Sequence, residues 1–266
     1  MEYFEFIVYG LIQGLTEFIP VSSTAHLKVI SIFLGINDPG PSISAIIQLG
    51  SVFAVFWYFR KEFFLSSNQS SKKLFNILLN SKLSRSIFIG SIPIIFLGGI
   101  IKLYVSNFSD MTLRSNLSIG IVSIFMALYM YLSDNSKKSS INIKNHKYFD
   151  SFLIGFSQAF AIFPGVSRSG VTISTALLTG WNRKDAAKFS FLLGIPAITL
   201  AAIVEFVSSF NEFTFSNLPP LIFGLATAFL SSLLAIDFLI RYLTSNGMKL
   251  FIFYRVIFGI VILLNL

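Results

Sequence analysis

Apolar runs of membrane-spanning length alternate along the chain with short segments that hold most of its charges. A helix that crosses a bilayer needs about 20 consecutive apolar residues. The runs 43–59, 86–104, 117–132, 187–207, 219–240 and 250–266 fit that requirement. Two further apolar regions, 3–34 and 150–180, are interrupted near their middles. The first carries Phe18-Ile19-Pro20-Val21-Ser22-Ser23-Thr24 and the second Phe163-Pro164-Gly165-Val166-Ser167-Arg168-Ser169-Gly170. Irregular backbone survives at membrane depth only where it is buried in protein or lines a cavity. Both regions are therefore expected to fold as re-entrant helix pairs, a Pro-kinked single span being the plainer alternative. The predicted fold is an all-α polytopic membrane protein with six full spans.

Composition agrees. Of 266 residues 54% are hydrophobic and 12% charged, against about a quarter charged in soluble domains, and the mean hydropathy is +0.76. A soluble globule, a disordered chain, a coiled coil and a disulfide scaffold are excluded. The absence of cysteine removes thiolate zinc sites, iron–sulfur clusters and cysteine-phosphatase chemistry. The net charge of +8 is explained by sidedness. Segments 60–85, 133–149, 181–186 (with Lys188 just beyond) and 241–249 carry 15 Lys and Arg, and the intervening segments 35–42, 105–116 and 208–218 carry only Arg114. Cytoplasmic loops collect Lys and Arg, so the first set is placed inside, and the basic balance is not a nucleic-acid surface. Glu2 and Glu5 stand where a cleavable leader would be basic.

The same sidedness makes the first broken hairpin enter from outside and the second from inside, each followed by three spans. A constant offset of 145 pairs Gly10 with Gly155, Gln13 with Gln158, Val21 with Val166 and Ser22 with Ser167. This predicts an inverted-topology repeat: a first unit over 1–132, a basic cytoplasmic linker over 133–149 and a second unit over 150–266. In such proteins the site lies where discontinuous helices meet near the midplane. That architecture also serves carriers, so chemistry has to decide between moving a substrate and cutting one.

Gln13 and Glu17, four apart, share a helix face that Pro20 ends. Ser22, Ser23 and Thr24 suit the cap of the next helix, and His26 follows one turn after Ser23. In the second hairpin Ser167, Arg168, Ser169 and Gly170 open a helix with Thr172 in its first turn. Two helix N-termini then direct free N–H groups and positive dipole ends into one cavity, with Arg168 as a fork-shaped cation. Phosphate or diphosphate suits this arrangement best. Glu17 adds a base for Ser23 or a ligand for a divalent metal, and His26 a proton relay. Singly, each is open to a structural reading: Ser and Thr commonly bond to neighbouring helices, a lone His often packs, and Glu17 can simply pair with Arg168. Asp237, Arg241, Glu205 and Arg255 are assigned to structure, Arg255 as paired or snorkelling, and His146 as solvated in a basic loop. No P-loop, HExxH or GxSxG pattern is present, and the Ser167-Arg168 step lacks the following His that acid-phosphatase-type lipid phosphatases use.

The run Gln13-Gly14-Leu15-Thr16-Glu17-Phe18-Ile19-Pro20-Val21-Ser22-Ser23-Thr24-Ala25-His26 and the run Pro164-Gly165-Val166-Ser167-Arg168-Ser169-Gly170-Val171-Thr172 resemble the two signatures of the bacterial undecaprenyl-diphosphate phosphatases of the bacitracin-resistance type. The likeness extends over the chain, including Ile47-Gln48-Leu49-Gly50 and Phe189-Ser190-Phe191-Leu192-Leu193-Gly194-Ile195-Pro196. The resemblance implies hydrolysis of the lipid diphosphate to the monophosphate and inorganic phosphate, recycling the peptidoglycan carrier. It further implies an inner-membrane location, a site open to the periplasm and a divalent cation, Mg²⁺ or Ca²⁺. By the same likeness Glu17, Ser23, His26 and Arg168 match the motif acid, proposed nucleophile, motif histidine and diphosphate-binding arginine. Ser22, Thr24, Ser167, Ser169, Gly170 and Thr172 fall in the two substrate-binding signatures. Gln13 stands where many members carry a first Glu, and Ala25 where many carry Gly. Gln13 is kept as a substrate or metal contact, and the acid–base work falls to Glu17. The partners expected are a polyprenyl diphosphate and membrane lipid, no nucleic acid, and a second copy of the chain if the apolar exterior supports a homodimer.

Overall fold

The computed structural model describes residues 3–38, 40–60, 81–104, 115–136, 141–208 and 218–265. Among these residues the fold is all-helical. In chain order the helices are α1 (Tyr3–Phe18), α2 (Ser23–Leu34), α3 (Gly40–Tyr58), α4 (Lys82–Tyr104), α5 (Asn116–Asp134), α6 (Tyr148–Ala159), α7 (Arg168–Leu178), α8 (Arg183–Ser208), α9 (Leu218–Asn246) and α10 (Lys249–Asn265). A 3-10 turn at Phe160–Ile162 follows α6.

Four of them, α4, α5, α8 and α9, are long and apolar enough to cross a membrane. Each broken region folds as two short helices. The 12 residues of α2 and of α6 and the 11 of α7 span only about 16–18 Å at 1.5 Å per residue, well short of the roughly 30 Å hydrocarbon layer.

The distribution of side chains is that of a molecule whose solvent is lipid. Phe33, Leu103, Phe88 and Leu234 point outward and are largely exposed, while Gln13, Ser51, Ser151, Gln158, Ser174 and Ser232 lie fully inside. Glycine lets the helices approach. A Cβ on Gly10 would stand 2.2 Å from the Gly224 carbonyl oxygen and one on Gly14 2.4 Å from that of Ala228, so α1 lies directly on α9. Ser231 and Ser232 of α9 donate back to the Gly10 and Gly14 carbonyls at 3.3 and 3.4 Å. In the other half, a Cβ on Gly155 would come within 1.9 Å of the Gly90 carbonyl, and α6 lies on α4. Small residues at the contact line are the usual means of packing helices where no hydrophobic effect draws them together.

Two assignments made from sequence are corrected. His146 is not solvated. It is buried, with Ser86 Oγ 2.6 Å from its Nε2 and the Ile143 carbonyl 2.8 Å from its Nδ1, against the Trp181 ring. The segment that carries it is stitched to the α7–α8 turn, since Ile141 donates to Gly180 O at 3.3 Å and Asn182 to Ile141 O at 2.9 Å. Arg255 neither pairs with a carboxylate among the described residues nor snorkels; it is fully buried. By contrast Asp237 and Arg241 form the expected i,i+4 pair at 2.9 Å, and Glu205 meets Lys102 at 3.7 Å.

Candidate active site

The site forms where the tips of the two broken hairpins touch. Ser169, in the first turn of α7, donates to the Ile19 carbonyl at 3.4 Å, and a Cβ on Gly170 would lie 3.5 Å from Pro20 Cβ. Each tip turns through a serine in the left-handed region, Ser22 at φ 78° and Ser167 at φ 67°. Non-glycine residues seldom adopt this conformation, and it clusters at functional sites. The two serines are one of the pairs related by the 145-residue offset. Their capping differs. Ser167 Oγ accepts from Gly170 N at 3.2 Å, whereas Ser22 caps α2 by position alone, with no side-chain bond. The first turn of α2 thus lacks the side-chain cap that Ser167 gives α7.

Glu17 is the centre of the arrangement. It is 7% exposed, and three donors converge on its carboxylate. Gln13 Nε2 and Ser23 Oγ donate to Oε2 at 2.6 and 3.0 Å, and Arg168 Nη2 donates to Oε1 at 2.9 Å. A carboxylate from α1, a hydroxyl from α2 and a guanidinium from α7 are thereby held together. The rest of Arg168 is positioned by α8: its Nη1 donates to Ser190 O at 2.8 Å. Gly194, one turn on, makes room for the guanidinium, since a Cβ there would stand 2.3 Å from Nη1. Thr172 supports the same corner, with Arg168 O 2.8 Å and Ser190 Oγ 2.6 Å from its hydroxyl.

Two buried polar atoms in this cluster have no partner, Arg168 Nε and Gln13 Oε1. An unmade buried hydrogen bond costs on the order of 1–3 kcal/mol, so each has a hydrogen bond still to make. The first is a donor suited to a phosphate oxygen. The second is an acceptor suited to a cation or a hydroxyl.

The other residues singled out from sequence lie nearby in different roles. Ser167 and Ser169 are buried with their hydroxyls 3.3 Å apart. Thr24 is exposed. No hydrogen bond among the described residues joins His26 to Glu17, Ser23 or Arg168. Its Nδ1 donates to the Ser22 carbonyl at 2.7 Å, which leaves Nε2 as the acceptor for the Tyr254 hydroxyl at 2.6 Å. Its ring stacks on Phe258 with centroids 4.3 Å apart. Sequence reasoning missed Ser190, Gly194 and Tyr254 as partners of the site. For Ser190 and Gly194 the signal was present, in the Phe189–Pro196 run, but nothing in it says that α8 passes behind Arg168.

A model of one protein family, the bacitracin resistance protein BacA, matches residues 6–261. The chain belongs to the BacA family. Among curated relatives, an undecaprenyl-diphosphatase of Prochlorococcus marinus (strain MIT 9215) is 70% identical, with all of both chains covered. The undecaprenyl-diphosphatase of strain MIT 9313 is 43% identical over 97% of this chain and 87% of its own. The match to the BacA model spans both hairpins and every helix that contributes to the Glu17–Arg168 cluster.

Proposed function

We propose that this BacA-family protein is an integral membrane phosphatase. It hydrolyses undecaprenyl diphosphate to undecaprenyl phosphate and inorganic phosphate, recycling the lipid carrier for peptidoglycan synthesis and conferring bacitracin resistance. The observation that carries the reading is the shared carboxylate: one Glu17 oxygen receives the Ser23 hydroxyl and the other the Arg168 guanidinium. A carrier of anionic lipid needs the cation and the helix dipoles. It has no use for a serine held against a buried base.

In the proposed reaction Arg168 and the first turns of α2 and α7 bind the diphosphate, with Nε taking an oxygen that nothing else in the fold supplies. The entering anion competes with Glu17 for Nη2, and so frees the carboxylate to act as a base. Glu17 then accepts the proton of the attacking group, Ser23 Oγ or a water oriented in its place, as that oxygen attacks the distal phosphorus and undecaprenyl phosphate departs. When Ser23 attacks, water cleaves the phosphoseryl intermediate in a second step. His26 assists proton transfer. Stabilisation of developing charge by pre-placed donors is the largest contribution expected in such a site.

A divalent cation, Mg²⁺ or Ca²⁺, would suit the oxygen donors of this corner. Such ions are commonly held by one or two carboxylates together with substrate phosphates. Glu17 and the unpartnered Gln13 Oε1 are the oxygens that would hold it; among the described residues no cluster of three His or acidic side chains exists to build an all-protein cage. The cation would neutralise phosphate charge.

The inverted repeat, with six spans, belongs to the same proposal. It is supported by five helices in each half among the described residues, by the shared 145 offset of Ser22 and Ser167, and by α1 packing on α9 as α6 packs on α4. An inner-membrane location and a site open to the outer, periplasmic face are part of the same proposal and rest on the family resemblance. A homodimer is left to the apolar exterior alone.

Phosphate release from undecaprenyl diphosphate by the purified protein tests the reading, with and without chelator, beside Ser23→Ala and Arg168→Ala. Metal-dependent release, lost in both variants, is expected. No release from the parent protein, with lipid still retained in an Arg168-dependent way, would make it a carrier and overturn the proposal.

A further inference from the structure

Arg255, on α10, is the largest fully buried side chain among the described residues, at 0% exposure. No acidic group answers its charge among the described residues. Its guanidinium is spent on three backbone carbonyls: Nε donates to Ser123 O at 3.3 Å, Nη1 to Pro20 O at 3.3 Å and Nη2 to Gly165 O at 2.5 Å. Ser123 returns the contact, its hydroxyl donating to Arg255 O at 3.1 Å.

Pro20 and Gly165 are not arbitrary positions. They are related by the same 145-residue offset, and each stands two residues before the left-handed serine of its own hairpin. One planar fork therefore reaches the corresponding carbonyl in both interruptions. These carbonyls lie at the ends of broken helices, where the backbone lacks a helical partner and lipid offers none. The two adjacent turns of α10 reinforce the placement, since Tyr254 holds His26 Nε2 and Phe258 stacks on the same ring.

We infer that Arg255 is a positioning residue, a clamp that sets the distance between the two hairpin tips and so holds Ser23 and Glu17 in register with Arg168. The inference rests on the hydrolase reading. Nucleophile and base belong to the first hairpin. The guanidinium that binds the diphosphate belongs to the second. Loosening the clamp separates the attacking group from a substrate that stays bound, and a displacement of about 1 Å in such a geometry costs on the order of 100-fold in rate. Lysine cannot replace arginine here, because an ammonium on a flexible stem has no fixed fork to span two carbonyls.

The test compares Arg255→Lys and Arg255→Gln with the parent protein in detergent, scoring only monodisperse material. The expected result is a fall in kcat of about 100-fold with KM and the affinity for undecaprenyl diphosphate unchanged. A purely structural arginine predicts a lowered unfolding temperature with normal turnover in the folded fraction. Normal kcat in either folded variant overturns the clamp, and so does failure of both variants to fold. A second readout does not depend on catalysis. The chain has no cysteine of its own, so spin labels at Thr24→Cys and Phe163→Cys, one on each hairpin, report the separation of the tips. A narrow distance distribution in the parent that broadens in Arg255→Lys supports the clamp, and an unchanged distribution refutes it. If the parent releases no phosphate, the hydrolase reading fails while this distance measurement still decides whether Arg255 joins the hairpins.

Discussion

At the scale of single residues, Glu17 and Arg168 stabilise one another, and this changes what their removal does. Arg168→Ala removes both the proposed diphosphate-binding cation and the partner of the Glu17 carboxylate. The pair is buried, with side-chain exposures of 10% and 6%, and stranding one partner of a buried pair costs about 3–5 kcal/mol. Arg168→Ala should therefore lose stability as well as activity. Glu17→Gln/Arg168→Ala should recover most of the unfolding temperature and none of the phosphate release. Glu17→Gln alone keeps a side chain of similar shape but removes the base, and a loss of about 10²–10⁴-fold in turnover is expected, as for other positioned acid–base groups. Gly194 offers a test from behind the site. Its substitution by Ala places a Cβ 2.3 Å from Arg168 Nη1, so the guanidinium must leave Ser190 O. Steady-state kinetics should show a raised KM for the diphosphate in a protein that still folds.

At the scale of helices, the contact lines α1–α9 and α6–α4 are set by glycine. Gly10→Ala and Gly155→Ala drive a methyl group into the facing helix, onto the Gly224 and Gly90 carbonyls respectively, and overpacking of this kind costs about 1–3 kcal/mol. Gly98 and Gly99 of α4 have open space where a Cβ would stand. At those sites alanine should be neutral or stabilising by up to about 1 kcal/mol, through helix propensity. Unfolding temperatures of the four single variants check the contrast; equal effects at all four would mean that helix propensity, and not close approach, governs these positions.

At the scale of the whole molecule, the buried His146 segment carries a pH response. Burial, and secondarily the charge of Lys82, lowers the His146 pKa from its usual 6.5. The folded protein keeps this ring neutral, and the unfolded chain binds the proton first. Its contribution to stability is therefore complete above about pH 6.5 and is lost as pH falls below that value. The unfolding temperature should decline between pH 7.5 and 5.5 more steeply in the parent than in His146→Gln. The proposed sidedness is checked with single cysteines in the cysteine-free background: the exposed Lys144→Cys should react with an impermeant thiol reagent only from the cytoplasmic side, and the exposed Asn37→Cys only from the outer side.

Much of this protein is legible in its sequence because a bilayer is a demanding solvent. Lipid requires long apolar runs, tolerates interruptions only at buried places and sorts Lys and Arg by side, so the helices, the two breaks and their serines could be read from residue order. The meeting of Gln13, Glu17 and Ser23 follows from local spacing on α1 and α2. What residue order could not show depends on contacts between residues far apart in the chain. Ser190 and Gly194 shape the Arg168 pocket only because α8 passes behind α7. His146 is buried only because its segment folds back onto the α7–α8 turn. Arg255 looks from sequence like a charge to be paired or exposed. Its partners are backbone carbonyls, identical in every residue type, and only the tertiary fold brings those of Pro20 and Gly165 to one guanidinium.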